Sequence, residues 1–269
     1  MKRILIYLIL IFSLFFLYGK YIEPNKLTIK NYQINSSNIP NSYTKLKIIQ
    51  FSDLLIDEQN INNLENIVNK INNQKPDIIF FTGDLIKQNY QLNNKDKEYI
   101  INNLKNLKCS LYKYSIIGDH DKSKLETYEE IMTNSNFQIL NNEYTYLFYK
   151  DKSPLKIIGL TDIDNYDKTL SNEENIVPCY TILLTHKPDN IDKINISNIN
   201  LILAGHSLNG QIRIPFIGGI IKKEGAQKYF DSHYSINNTE LYISNGIGTD
   251  NFNFRLFNKP SINEYIFTK

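Results

Sequence analysis

The sequence predicts an α/β protein: a four-layer α-β-β-α sandwich, with two mixed sheets face to face and helices outside. Three observations predict this. Between residues 45 and 135, compact apolar runs alternate with segments whose apolar residues recur at helical spacing, the pattern of a sheet with covering helices. From residue 144 onward the chain is richer in strands. Several strand-like runs also end in an aspartate or a histidine, and α/β sheets assemble their sites at the carboxyl ends of strands.

The first element is apolar. Lys2 and Arg3 precede a run from Ile4 to Tyr18, interrupted by Ser13 and followed by Gly19 and Lys20. Extension through Tyr21 and Ile22 brings it near the roughly 20 residues a spanning helix needs. The run is apolar on nearly all sides, unlike a helix that buries a single stripe. No Ala-x-Ala cleavage site follows, so residues 1–22 are expected to be an uncleaved signal-anchor. Lys2 and Arg3 then stay in the cytoplasm and the rest of the chain faces outward. No twin-arginine pair is present, which points to the general export route.

Residues 23–44 carry Pro24, Ser36, Ser37 and Pro40, and read as a linker with an edge strand over 27–33. The domain proper is expected over 45–269. Residues 47–51 suit a strand buried on both faces. Ile61, Leu64, Ile67, Val68 and Ile71 then keep helical spacing until Pro76 and Asp77 break it. Residues 78–81 form the next strand, residues 99–107 a helix, residues 111–117 a strand and residues 125–132 a helix. Residues 144–149 and 155–160 read as a hairpin across Asp151-Lys152-Ser153-Pro154. Further strands are expected at 180–185, 200–204, 211–214, 240–244, 252–257 and 264–268.

Bulk composition excludes little. The chain has 269 residues, 42% hydrophobic and 22% charged, as a globular protein does. A net charge of +2 gives no reason to expect a nucleic acid partner. The richness in Asn, Ile, Lys and Tyr reads as bias of the source. Cys109 and Cys179 leave one disulfide open in an exported protein, although their strand-like neighbourhoods suit free buried thiols. There is no Gly-x-Ser-x-Gly elbow, P-loop or dinucleotide fingerprint.

The chemistry-bearing blocks are Asp53-Leu54-Leu55, Gly83-Asp84-Leu85-Ile86-Lys87, Gly118-Asp119-His120-Asp121, His186 and Gly205-His206-Ser207-Leu208. In this order they resemble the calcineurin-like metallophosphoesterases, whose pattern is Asp-x-His, Gly-Asp-x-x-Asp, Gly-Asn-His-Asp/Glu, a lone His and Gly-His-x-His. Gly210-Gln211-Ile212-Arg213-Ile214-Pro215, Ser244-Asn245-Gly246-Ile247-Gly248-Thr249 and Phe254-Arg255-Leu256-Phe257-Asn258-Lys259-Pro260 resemble the membrane-anchored bacterial subgroup. The resemblance spans residues 45–268.

It implies a centre of two metal ions ~3.5–4 Å apart that clamps a phosphoryl group. Carboxylate and imidazole ligands suit Mn, Fe or Zn. The departures fall on one ion. Leu55 and Leu208 stand where that ion's two histidines are expected, leaving it Asp53 and the shared Asp84. The other ion keeps Asp84, His186 and His206, with Asp119 in place of Asn. One divalent ion per chain is therefore expected, held by Asp84, Asp119, His186 and His206, with Leu55 and Leu208 filling the vacated half. Asp53 is carried as a metal ligand as well, with turn capping as its other reading. Asp57 is the candidate replacement for the ligand missing at Leu55.

His120 holds the family's general-acid position, paired with Asp121, and both are carried as catalytic; a structural histidine in a turn is the alternative. For His186 and His206 the alternative is a satisfied core histidine. Lys87 replaces an acidic residue and reads either as charge compensation or as a solvated lysine. His233 reads as a surface residue, and Asp162 and Asp164 as loop carboxylates. Two functions follow. One is a membrane-anchored phosphoesterase acting outside the cytoplasmic membrane on a phosphomonoester, a phosphodiester or a pyrophosphate, with a lipid-linked substrate among the candidates. The other is a catalytically silent relative kept as a binding or scaffold domain.

Overall fold

A computed structural model describes residues 1–163 and 179–269. Helix α1 (Lys2–Leu17) exposes every side chain. It continues through a π turn (Tyr18–Ile22) and a 3-10 turn (Glu23–Asn25), so the apolar helical stretch Lys2–Asn25 is long enough to cross a membrane by length and composition. Its foot is gripped by the domain. The Gly19 carbonyl accepts the Arg255 N–H at 2.9 Å. The buried Glu23 carboxylate accepts the N–H of Phe257 at 3.0 Å and that of Asn258.

The chain then enters the sheet at once. The strands, in chain order, are β1 (Thr28–Asn35), β2 (Lys47–Phe51), β3 (Ile78–Phe81), β4 (Tyr112–Ser115), β5 (Gln138–Ile139), β6 (Glu143–Leu147), β7 (Leu155–Leu160), β8 (Tyr180–Thr185), β9 (Leu201–Ala204), β10 (Arg213–Ile214), β11 (Gly218–Gly219), β12 (His233–Ile236), β13 (Thr239–Ile243) and β14 (Ser261–Thr268). Two sheets of six strands result, ordered β1-β14-β2-β3-β4-β5 and β12-β13-β9-β8-β7-β6, while β10 and β11 form a separate hairpin. The edge strand expected over 27–33 forms as β1, parallel to β14 over its whole length.

Side-chain alternation divides the core into layers. Ile48, Ile78 and Phe80 of the first sheet face Ile157, Ile182, Leu184 and Leu203 of the second. The alternate residues Ile49, Phe51, Ile79 and Phe81 turn outward. There they meet the helices α2 (Leu64–Asn72), α3 (Asn94–Lys105) and α5 (Leu125–Asn134), which bury Leu64, Ile67, Val68, Ile100, Leu104 and Met132. The short α4 (Asp119–Lys122) precedes α5. Among the described residues, the outer face of the second sheet packs against Ile191, Ile199 and Tyr229.

The hairpin expected over 144–160 forms, with Leu147 opposite Leu155. The strand expected at 252–257 does not; among those residues Leu256 makes one isolated bridge to Ile212. The reason is Arg255. It is fully buried, and its guanidinium donates to the carbonyls of Gly248 (2.6 Å), Asn245 (2.9 Å), Gly246 (3.2 Å) and Asn258 (3.3 Å). The chain curls around that cation to satisfy it.

Candidate metal centre

The parallel strands β2, β3 and β4 run in register, as do β8 and β9, so their carboxyl ends lie along common edges. Asp53, Asp84, Asp119, His186 and His206 all follow those ends. The turns are tight. Asp53, Leu55, Asp84, His206 and Leu208 all adopt positive φ, between 44° and 67°, a region that bulky side chains occupy at a cost. Close approach makes two glycines necessary. A Cβ on Gly118 would strike the Asp84 carboxylate, and one on Gly205 would meet Asp53 Oδ2 at 2.8 Å.

Asp84, His186 and His206 offer ligand atoms that all lie within 4.8 Å of one another, and all three residues are buried. The hydrogen bonds decide which atoms face inward. His186 Nδ1 lies 2.8 Å from the Thr82 carbonyl, so it carries the proton and Nε2 presents its lone pair. His206 Nε2 lies 2.8 Å from the Glu224 carbonyl, so Nδ1 presents the lone pair. Asp84 Oδ1 accepts the His120 N–H at 2.8 Å; Oδ2 is buried and, among the described residues, makes no hydrogen bond. His186 Nε2 is 3.1 Å from Asp84 Oδ2 and 3.2 Å from His206 Nδ1.

Three acceptors converge with no donor between them, an arrangement that a cation must relieve. Ligand atoms around a tetrahedral ion with bonds of ~2 Å sit ~3.3 Å apart; the two spacings from His186 Nε2 match that, and the third pair stays within 4.8 Å. A carbonyl tied to the far nitrogen of each ring fixes the ligating tautomer. Without a metal, a proton serves. Burial disfavours charge on His186, but the adjoining Asp84 carboxylate outweighs it and raises the pKa to about 10. Burial and the His186 charge lower His206 to about 3.

The remaining candidates surround this cluster. Asp119 is partly exposed; its Oδ2 lies 3.9 Å from His206 Nδ1 and accepts from Lys187 Nζ at 2.8 Å. Asp53 is fully buried, and both its oxygens take the backbone N–H of His206 at 3.1 Å. His120 Nδ1 accepts the Gln88 N–H at 3.1 Å, which puts its proton on Nε2. That Nε2 is 4.0 Å from Asp84 Oδ2 and 3.9 Å from Asp250 Oδ1. Asp121 turns into the backbone and accepts the N–H groups of Asp84 and Gly118 at 2.8 Å and of Leu85 at 2.9 Å. Burial and the nearby Asp84 charge raise its pKa to about 7.

Leu55 and Leu208 are completely buried, and neither belongs to the three apolar clusters formed by the described residues. A Cβ on Gly246 would strike Leu208 and sit 3.0 Å from Asp53 Cβ; one on Gly248 would meet Leu55 Cβ at 2.8 Å. Both leucines therefore press on the same short loop beside Asp53. Asp57 does not reach the cluster: its carboxylate accepts the N–H groups of Gln59 and Asn60 and pairs with Lys87 at 2.6 Å. Lys87, half-buried, is thereby engaged with Asp57 and not with the centre. His233 sits on the surface and pairs with Glu240 at 2.6 Å. Both cysteines are free.

The centre opens into a cleft of about 360 Å³ lined by Asp119, Asp162, His186, Lys187, Asp189 and Glu224 among others. Asp164 lies outside the described residues. Lys187, Lys223 and Asp250 escaped the sequence reading. Lys187 directly follows His186, a position that could have flagged it; Lys223, 2.8 Å from Asp250, had no local signal.

Comparison with known proteins agrees with this geometry. The chain is 34% identical to an uncharacterized metallophosphoesterase of Bacillus subtilis, YkuE, over 91% of this chain and 87% of that one. It is 25% identical to a Chlamydia muridarum protein named UDP-2,3-diacylglucosamine pyrophosphatase LpxG, over 91% of each. A solved structure of the Thermus thermophilus sulfate thiohydrolase SoxB shares the fold, with a TM-score of 0.50 at 10% identity, over 84% of this chain and 57% of that one. The calcineurin-like phosphoesterase profile matches residues 46–210, the stretch that carries every residue of the cluster, and the chain belongs to that family.

Proposed function

We propose that the protein is a membrane-anchored, metal-dependent phosphoesterase whose reduced centre holds one divalent ion of the Mn, Fe or Zn class. Asp84, His186 and His206 hold it, with Asp119 at its edge. The observation that carries this reading is the convergence of three buried acceptor atoms with no donor among them. Bound there, such an ion would supply Lewis acidity toward a phosphoryl oxygen and would lower the pKa of water enough to provide hydroxide for attack on phosphorus near neutral pH.

The chain's own groups do the rest. His120 presents Nε2 at the cluster edge; protonated on both nitrogens in the reacting complex, it gives the Nε2 proton to the leaving oxygen as the P–O bond breaks and returns to the neutral ring whose Nδ1 accepts the Gln88 N–H. Lys187 and Lys223 flank the cluster, engaged with Asp119 and Asp250, and draw in the anionic substrate. Asp121 is a positioning residue, fixing the turn that aims Asp84. The exposed apolar helix favours an anchored domain outside the cytoplasmic membrane. A phosphomonoester, phosphodiester or pyrophosphate on an amphiphilic, lipid-linked carrier suits that placement, and the relative named as a UDP-2,3-diacylglucosamine pyrophosphatase supports it.

The buried Leu55 and Leu208 favour a second reading, a catalytically silent domain that keeps the ion for binding. Metal analysis of the full chain joined to hydrolysis of an alkyl phosphodiester separates the two. One equivalent of metal, with turnover that His120→Ala reduces, supports the enzyme. One equivalent without turnover in Mn, Fe or Zn supports the silent domain. Two equivalents per chain overturn the one-ion centre.

A further inference from the structure

We propose that the β10–β11 hairpin is a second membrane contact, one that dips its tip into the outer leaflet beside the anchor helix. This rests on the anchored reading above but not on any catalytic activity.

The hairpin pairs Arg213 with Gly219 and Ile214 with Gly218, so its tip is Pro215-Phe216-Ile217. Phe216 is 109% exposed, with φ at 69°, and Ile217 is 73% exposed. Leaving a phenylalanine in water forgoes the gain of burying its ring, and strained backbone adds a further cost. Nothing inside the described chain offsets either. Ile214 and Ile220 on the hairpin arms are also exposed.

Continuity with α1 identifies what covers this tip. Phe257 lines a shallow groove of about 440 Å³ together with Phe216 and Ile217. The same Phe257 packs on Phe15 of α1, with ring centroids 5.8 Å apart, and its neighbour Phe254 packs on Phe16 at 5.7 Å. The last turns of the anchor and the hairpin thus share one side of the domain, so a bilayer reached by α1 is within reach of the tip. Charge is arranged to match. Arg213 neutralises Asp231 at 2.7 Å, and the exposed Lys222 follows the hairpin, suiting anionic headgroups at an interface.

The contact would also orient the centre. The hairpin's second arm runs on to Lys223, which pairs with Asp250 beside His120, and to Glu224, whose carbonyl holds His206. Docking the tip therefore brings the cluster toward the plane of the membrane.

The chain contains no tryptophan, so one introduced indole reports on its own position. Phe216→Trp, Phe12→Trp and Tyr112→Trp are made separately in the full chain and reconstituted in phosphatidylcholine/phosphatidylglycerol vesicles with and without brominated lipids. Phe12 lies within α1, and Tyr112 lies at the start of β4, at the opposite end of that strand from the centre. The expected result is blue-shifted emission and loss of intensity to brominated lipid for Phe216→Trp and Phe12→Trp, with Tyr112→Trp quenched by aqueous iodide instead. Lipid quenching at position 12 with iodide quenching at position 216 leaves the anchor in place and overturns the hairpin contact. Iodide quenching at both positions overturns the anchor and the hairpin contact together.

Discussion

The backbone N–H of His206 points between the two carboxylate oxygens of Asp53, 3.1 Å from each. Asp53 thus ties down the Gly205-His206 turn, which carries a cluster residue at positive φ. A residue in that role can lose its charge without losing its function, because an amide oxygen still accepts the N–H. Asp53→Asn is therefore expected to keep one equivalent of metal, whereas Asp84→Asn loses it. Equilibrium dialysis of both variants checks this, and loss of the ion in Asp53→Asn would make Asp53 a ligand. Asp53→Ala leaves the N–H buried without its partner and is expected to destabilise by about 1–3 kcal/mol.

The proton on His186 and the ion compete for one place. Its folded pKa, about 10, stands above the ordinary 6.5, so the metal-free chain holds this proton more tightly folded than unfolded. The stability it contributes is full below pH 6.5 and is lost as pH rises through 10. His206 acts in the opposite sense at lower pH, since its folded pKa is depressed to about 3: stability falls as pH drops from 6.5 toward 3. In chelator, thermal stability is expected to fall between pH 7 and pH 9. With saturating Mn²⁺ the alkaline decline should flatten, because the ion replaces the proton. Melting curves at both pH values, with and without metal, test this; an unchanged alkaline slope in metal would place the ion elsewhere.

Leu55 and Leu208 press on the loop through Gly246 and Gly248, at backbone angles that bulky side chains tolerate poorly. If they fill half of a once dinuclear pocket, the pair Leu55→His and Leu208→His restores two ligands next to Asp53 and Asp84. The double variant is expected to bind a second equivalent of metal, and each single variant only one. Without metal, the double variant should be destabilised by several kcal/mol, because two buried apolar side chains give way to polar ones. A double variant that folds and still binds one ion counts against the vacated-half reading.

How much of this was legible in the sequence follows from what each residue depends on. The helices of the first half could be read because each buries one face, which the 3.6 period records, and the strands because burial on both faces leaves compact apolar runs. The ends of those strands could be read for the same reason: Asp84, His186 and His206 stop apolar runs where a side chain otherwise belongs in the core. Arg255 misled, because its neighbours Phe254, Leu256 and Phe257 look like a strand while its own guanidinium gathers the carbonyls of four residues around itself. Asp121 misled differently: adjacency to His120 suggested a pair, yet its carboxylate faces the backbone of residues 84 and 85. Lys223 reaches Asp250 across 27 residues of chain, a contact that no local pattern encodes.

His120 stands apart from the metal ligands: its ring is held by the Gln88 N–H, and its free N–H lies 4.0 Å from Asp84. A general acid matters in proportion to how badly the leaving group needs a proton. His120→Ala is expected to keep its metal. It should lose about 10²–10⁴-fold in kcat on an alkyl phosphodiester and far less on a p-nitrophenyl ester, whose phenolate leaves unaided. Kinetics on the two substrates with metal content measured in parallel test the assignment; equal losses on both point to a structural role in the turn.

Glu23 and Arg255 form the joint between the helix and the domain. Glu23 receives two backbone N–H groups of the loop that curls around Arg255, while the Arg255 N–H bonds to Gly19. The arginine fork reaches four carbonyls at once, which a single lysine ammonium cannot match in geometry. Arg255→Lys is therefore expected to destabilise the domain by more than one lost hydrogen bond, about 1–3 kcal/mol for each carbonyl left unsatisfied. Glu23→Gln keeps one acceptor and should cost less. The same loop braces Gly246 and Gly248 beside the cluster, so Arg255→Lys should also weaken metal binding, whereas Glu23→Gln should leave it intact. Denaturant unfolding and metal titration of both variants check the order; equal effects would mean that the joint acts as one unit with no separate support for the centre.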